Sequence, residues 1–338
     1  MKTRALLAAL MLTAAWSRAA RRTERPEPAA LLERVLSFPS QSYAARVRVQ
    51  AFGPAGAAGK AKAQTRLVRF RAPAFRRIEV AGRKAGPPAL LAVSDGRELL
   101  TAWPKAGRGW LGADPPPDAA AERARLESLY ELSVSTGGRA ARKATWRLDL
   151  RSRADGRLRR SYWLSRAGGL ILKREDYRPD GTLLRRERAV RLEAPEFSAA
   201  DFLVRAPDGA KVEASTVPFD EGGAFRARED FPVRYPRWLP VGFVLLEHPV
   251  PDGDGRSVTL VYTDGVTTLT IVERPSGPAP TAGSPYAEVR LSSGSGKLSF
   301  AEGATRLDWT RGGRDEFASG DLPEADLARV ADSVPEAP

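Results

Sequence analysis

The sequence has no cysteine, one histidine and two methionines among its 338 residues. Without cysteine there are no disulfides, thiol nucleophiles, thiolate metal sites or redox motifs. The lone histidine is His248, in Glu247-His248-Pro249. A histidine-based zinc site draws on several His or Cys ligands. A serine triad would need His248 as its base, and no Gly-x-Ser-x-Gly elbow is there to hold the nucleophile. An ordinary surface histidine is the simpler reading. Long apolar runs are also missing beyond the N-terminus, so no later segment is long enough to span a bilayer.

Two glycine motifs fail on context. Gly107-Arg108-Gly109-Trp110-Leu111-Gly112 has dinucleotide-loop spacing, but Asp114-Pro115-Pro116-Pro117 follows where a helix should open. Gly294-Ser295-Gly296-Lys297 resembles the end of a P-loop, but Leu298 stands where Ser or Thr must ligate magnesium. Asp252-Gly253-Asp254-Gly255 lacks the closing Glu of a calcium loop. All three read as turns. Paired carboxylates remain available for a hydrolase, since acids are plentiful and convergence in a cleft is a tertiary property. No cofactor and no metal is implied, and a binding role fits better than catalysis.

The N-terminus has the layout of an export signal. Met1-Lys2-Thr3-Arg4 is basic, Ala5 to Trp16 is uncharged and mostly apolar, and Ser17-Arg18-Ala19 offers small residues for cleavage after Ala19. A signal peptide over 1–19 therefore implies a periplasmic location, with an N-terminal membrane anchor as the alternative. Nucleic acid is an improbable partner for an exported chain. Charge is uneven. Residues 1–230 hold 44 Lys+Arg and 26 Asp+Glu, whereas 231–338 hold 10 and 15. The basic part could meet anionic lipid, an acidic partner or the acidic part of the same chain, or it could be solvated strand faces and nothing more.

Pattern divides the chain into two domains. Leu31, Leu32, Val35 and Leu36 give a short amphipathic helix over Pro28–Leu36. Tyr43, Ala45, Val47 and Val49 alternate with polar residues, the period of a half-buried strand. Strands follow at Arg66–Arg71, Arg76–Val80, Leu90–Val93 and Glu98–Trp103. Asp118 is an N-cap for a helix predicted over Ala119–Leu132. A meander then runs to Leu192 through turns at Asp155-Gly156, Gly168-Gly169 and Asp180-Gly181. Residues 207–230 read as a linker. Further strands lead to a last helix over Pro323–Val334. The fold class is α+β and mainly antiparallel β, with one covered face and one wet face to the first sheet. Trp103, Trp110, Trp146, Tyr162 and Trp163 are candidates to line an apolar groove on the covered face, or to pack its core. Tyr162 and Trp163 are adjacent, so only one of them can point inward.

Several of these segments resemble a known family. Tyr162-Trp163-Leu164, Gly168-Gly169-Leu170, Lys173-Arg174-Glu175, Asp180-Gly181-Thr182-Leu183 and Phe197 to Phe202 are similar to the LolA-like superfamily. Trp238-Leu239-Pro240-Val241-Gly242-Phe243, Val261-Tyr262-Thr263-Asp264-Gly265-Val266, Leu269-Thr270-Ile271-Val272 and Gly320-Asp321-Leu322-Pro323 resemble the C-terminal domain of the RseB/MucB family. The resemblance implies a LolA/LolB-like half-barrel closed by helices over 28–206, followed by a smaller α+β domain over 231–335. It also implies a periplasmic regulator of an envelope-stress sigma factor. Such a regulator binds the periplasmic part of a membrane-spanning anti-sigma factor and is released by acyl chains, lipopolysaccharide or lipoprotein. Trp238, Phe243, Tyr262, Asp264 and Gly265 become the candidate partner-binding motif, although Asp264-Gly265 is also what a tight turn requires. A LolA-like lipoprotein or lipid carrier is the alternative.

Overall fold

The structure, a computed structural model, describes residues 25–52, 62–82, 86–114, 118–207, 209–214, 233–251, 257–276, 286–301 and 304–336. The candidate signal peptide, the Asp252–Gly255 turn and residues 215–230 of the expected linker lie outside these. No helix among the described residues is long and apolar enough to cross a membrane.

Helix α1 (Pro28–Leu36) begins with a proline, whose missing N–H is not needed in a first turn, and buries Leu31 and Leu32. Strands β1 (Tyr43–Ala51), β2 (Lys62–Arg71), β3 (Phe75–Val80), β4 (Leu90–Ser94), β5 (Glu98–Trp103) and β6 (Arg108–Ala113) form one antiparallel meander. Helix α2 (Ala119–Leu129) is capped by Asp118, whose carboxylate accepts from the Ala121 N–H at 2.9 Å. A second meander follows: β7 (Tyr130–Ala140), β8 (Lys143–Ser152), β9 (Leu158–Ser165), β10 (Ile171–Tyr177) and β11 (Leu183–Glu193).

The helix predicted to reach Leu132 stops at Leu129. Tyr130, Leu132 and Val134 alternate with Glu131, Ser133 and Ser135, and this period of two prevails from Tyr130 onward. The overlap of that alternation with a helical spacing at Leu126, Leu129 and Tyr130 concealed the switch.

β11 pairs with β1, which joins the meanders into one sheet ordered β12-β6-β5-β4-β3-β2-β1-β11-β10-β9-β8-β7. β12 (Lys211–Ala214) runs parallel to β6, so the start of the stretch read as a linker is a sheet edge. Residues directly opposite one another share a face, so the register sorts the side chains. The inner face carries Trp146, Leu148 and Leu150 of β8 with Leu164 and Tyr162 of β9, and α1 and α2 pack on it. On the outer face, Phe202 packs on Phe75 with ring centroids 6.0 Å apart, and Arg77 donates to the Asp201 carbonyl at 3.5 Å. The chain leaving β11 thus packs on the outer side of the sheet at β3. The result is an open antiparallel half-barrel with helices on its inner side, as expected.

The second sheet has seven strands: β13 (Val244–Pro251), β14 (Val258–Thr263), β15 (Thr268–Pro275), β16 (Ala287–Leu291), β17 (Gly294–Ala301), β18 (Ala304–Arg311) and β19 (Arg314–Gly320). Their order is β13-β14-β15-β19-β18-β17-β16. Helix α3 (Glu324–Ser333) lays Leu327, Val330 and Ala331 on Leu260, Ile271, Leu307 and Trp309 to make a second core. The glycine motifs, expected as turns, are mostly strand: Gly294 to Lys297 opens β17 after a turn at Ser292-Ser293, and only Gly107 of the other motif is in a turn, since Arg108 to Gly112 belongs to β6.

Candidate functional site

The two sheets meet at the turn between β14 and β15. Asp264 shapes that turn: its Oδ1 accepts from the backbone N–H groups of Val266 at 2.8 Å and Thr267 at 2.6 Å. Its Oδ2 accepts from the Tyr130 hydroxyl at 2.5 Å. Two arginines of the half-barrel, one on a strand and one on a helix, grip the carbonyls of the same turn. Arg160 on β9 donates to Gly265 O at 2.9 Å and Val266 O at 2.6 Å. Arg125 on α2 donates to Thr263 O at 3.0 Å. Val266 packs against the core under α1 and α2. Gly265 has a φ of +88°, and a side chain there would run into Glu122, Arg125 and Leu126.

Arg160 is held in place by Asp176, at 2.5 Å, and Asp176 also pairs with Arg174 at 2.8 Å. Burial works to raise the Asp176 pKa, but Arg160 and Arg174 hold it below the usual carboxylate range. Asp321, at the end of β19, faces this group. Its pKa is pushed up to about 6 by burial and by the charge of Asp176, against the opposing influence of Arg178, Arg185 and Arg160. Burial raises the Tyr130 hydroxyl well above its ordinary value, and the Asp264 charge raises it further. The junction therefore keeps its phenol neutral and donating while Asp264 accepts.

The five groove candidates do not form one group. Trp146 and Tyr162 lie together in the core beneath the helices. Trp163 is the member of the adjacent pair that points outward, with Lys173 Nζ 3.7 Å and the Arg147 guanidinium 5.1 Å from its ring centroid. Trp103 is on the inner face at β5, seven strands along the order from β9, under the Arg108 guanidinium at 5.4 Å. Trp110 pairs with Thr101 in the backbone ladder of β6. Around Trp103 the inner face is less filled than beneath the helices. Val68, Ile78, Leu90 and Leu99 are half-buried there, whereas Leu148, Leu150 and Leu164 are fully covered.

Of the candidate partner-binding residues, Tyr262 is in the second core, and Asp264 and Gly265 are taken up by the junction. Trp238 and Phe243 are half-buried against the second core, and Arg329 of α3 stacks over Trp238 at 4.2 Å. Sequence reading missed Tyr130, Arg125 and Arg160, which face the turn from the half-barrel, and Asp176, which holds Arg160. Among the described residues, no group of three or more His, Cys, Asp or Glu could hold a metal ion.

No protein-family model and no curated protein matches the sequence. Solved structures do match, across both sheets. The MucA/MucB complex of Pseudomonas aeruginosa aligns with a TM-score of 0.61 at 19% identity, over 93% of this chain and 100% of that one. The fold is that of MucB. MucB in complex with MucA(peri) aligns at 0.58 and 18% identity, again over 93% and 100%. A further MucB structure aligns at 0.53 and 17%, over 92% of this chain and 98% of that one. The order of half-barrel and then smaller sheet is thus that of MucB.

Proposed function

We propose that this chain is a non-enzymatic periplasmic regulator of the RseB/MucB kind, which binds the periplasmic part of a membrane-spanning anti-sigma factor. The observation that carries this reading is the match to MucB from a MucA complex, whose coverage takes in the second sheet as well as the half-barrel. A carrier would need the half-barrel alone. Domains over 28–206 and 231–335, with an export signal over 1–19, fit this role. Trp238 and Phe243 then offer a partner the rim of the second core, while Asp264 and Gly265 set how the two sheets sit together.

Acyl chains, from lipopolysaccharide or a lipoprotein, are the proposed signal. The half-buried apolar stretch around Val68, Ile78, Leu90, Leu99 and Trp103 supports this, since it leaves inner-face surface for a chain to cover. The decisive experiment is co-purification with the periplasmic segment of a single-span anti-sigma factor from the same envelope. A stable complex that protects that segment from proteolysis is the expected result. Failure to retain any such segment, with lipid still bound in native mass spectrometry, would leave the lipoprotein or lipid carrier as the better reading.

A further inference from the structure

The outer face of the first sheet carries a charge arrangement that folding alone does not favour. In the ladder between β1 and β11, Arg48 is directly opposite Arg188 and Arg46 directly opposite Arg191. Arg188 is in turn opposite Lys173 on β10. Side chains directly opposite have Cβ atoms about 5 Å apart, and like charges so placed repel. All four of these arginines are exposed.

The carboxylates on this face are already engaged. Glu193 pairs with Arg191, and Glu175 with Lys173 at 3.0 Å and Arg186 at 2.6 Å. Asp149 pairs with Arg147 at 2.7 Å and Glu79 with Arg77 at 2.6 Å. Among the described residues, Arg46, Arg48 and Arg188 have no ion-pair partner. They sit side by side on the neighbouring strands β1 and β11, and all are exposed.

We infer that the row formed by Arg46, Arg48, Arg188 and Arg191 docks the half-barrel onto an anionic bilayer through lipid phosphates. Charge complementarity selects the ligand: guanidinium forks match phosphate oxygens, and a bilayer offers many at once. The patch lacks the apolar centre that a protein partner would bury. The apolar side chains beside it are scattered: Val190, 51% exposed in the bulge between the two Arg–Arg pairs, and half-buried Leu67, directly opposite Arg46 on β2. Docking by this face leaves the inner face and the second sheet free for other ligands, so it does not depend on the anti-sigma reading.

The test is flotation of the chain from Ala20 onward, without its apolar leader, with vesicles of phosphatidylcholine alone or mixed with phosphatidylglycerol. The chain is expected to float with the mixed vesicles only, and less so as salt rises. Each arginine near an anionic surface is worth about a fivefold change in partition, so Arg46→Gln/Arg48→Gln/Arg188→Gln should weaken binding on the order of a hundredfold. Its melting temperature should equal or exceed the parent's, because like-charge pairs are removed, so misfolding would be visible as a lower one. Absence of flotation with the mixed vesicles overturns the proposal, as does equal flotation by a folded triple variant. Arginine-dependent retention on an immobilised acidic polypeptide, without flotation, would assign the face to an acidic protein instead and equally overturn it.

Discussion

Tyr130, the first residue of β7, donates its hydroxyl to Asp264 at 2.5 Å across the junction between the sheets, while the other oxygen of the same carboxylate holds the β14–β15 turn. One side chain thus sets both the shape of the turn and its place against the half-barrel.

Tyr130→Phe and Asp264→Asn should therefore be coupled. A hydrogen bond to a charged, buried acceptor is worth about 1.5–3 kcal/mol. A double-mutant cycle in chemical denaturation should give a coupling of that size, with Asn still able to accept from the turn's N–H groups. A coupling near zero would mean that the contact does not hold the junction.

Gly265→Ala should be more damaging than Gly181→Ala. The two glycines share nearly the same φ, +88° and +86°, so the backbone strain is common to both. A Cβ on Gly181 meets open space, whereas one on Gly265 falls 2.5 Å from Glu122 Oε1 and 2.7 Å from Leu126 Cδ2. The excess destabilisation should be about 1–3 kcal/mol, the range for overpacking. Equal melting temperatures for the two variants would show that the junction yields freely.

Asp321 gives the junction a pH dependence. Its folded pKa of about 6 lies above its ordinary value, so the folded state holds the proton more tightly. Its contribution is fully present below the ordinary carboxylate pKa and is lost as pH rises through about 6. Over pH 4 to 7 this amounts to at most about 3 kcal/mol. Asp321→Asn should flatten the fall in stability across that window. An unchanged pH profile of unfolding would remove Asp321 from the account.

Arg234 tests the second core. It is buried between Glu273, at 2.9 Å, and Glu316, and also donates to the Pro335 carbonyl at 3.1 Å. Burial already pushes the Glu273 pKa up, with Arg234 opposing. Arg234→Ala leaves buried Glu316 without its cation and Glu273 with Arg314 alone, at 3.4 Å, and should destabilise by about 3–5 kcal/mol. Calorimetry would check it, and a loss below about 1 kcal/mol would count against this role.

Much of the fold was legible in the chain. Trp146, Leu148 and Leu150 alternate with Arg147, Asp149 and Arg151, and they do face the core and the outside respectively. The helices at Pro28 and Glu324 follow from apolar spacing and first-turn proline or acid. The region around Tyr130 was not legible, because a helix running directly into a strand leaves no Gly, Pro or polar break to mark it.

What the sequence by itself determined is local: an apolar/polar period of two, turn residues at the hairpins, and the scarcity of histidine and cysteine. These depend on neighbours a few residues away, which a linear reading can see. Only the tertiary structure decided that Tyr130 and Arg160 meet the Asp264 turn, that Trp163 faces out while Tyr162 faces in, and that Arg48 stands opposite Arg188. Each depends on strand order and register, which place residues far apart in the chain side by side through backbone ladders that carry no sequence mark.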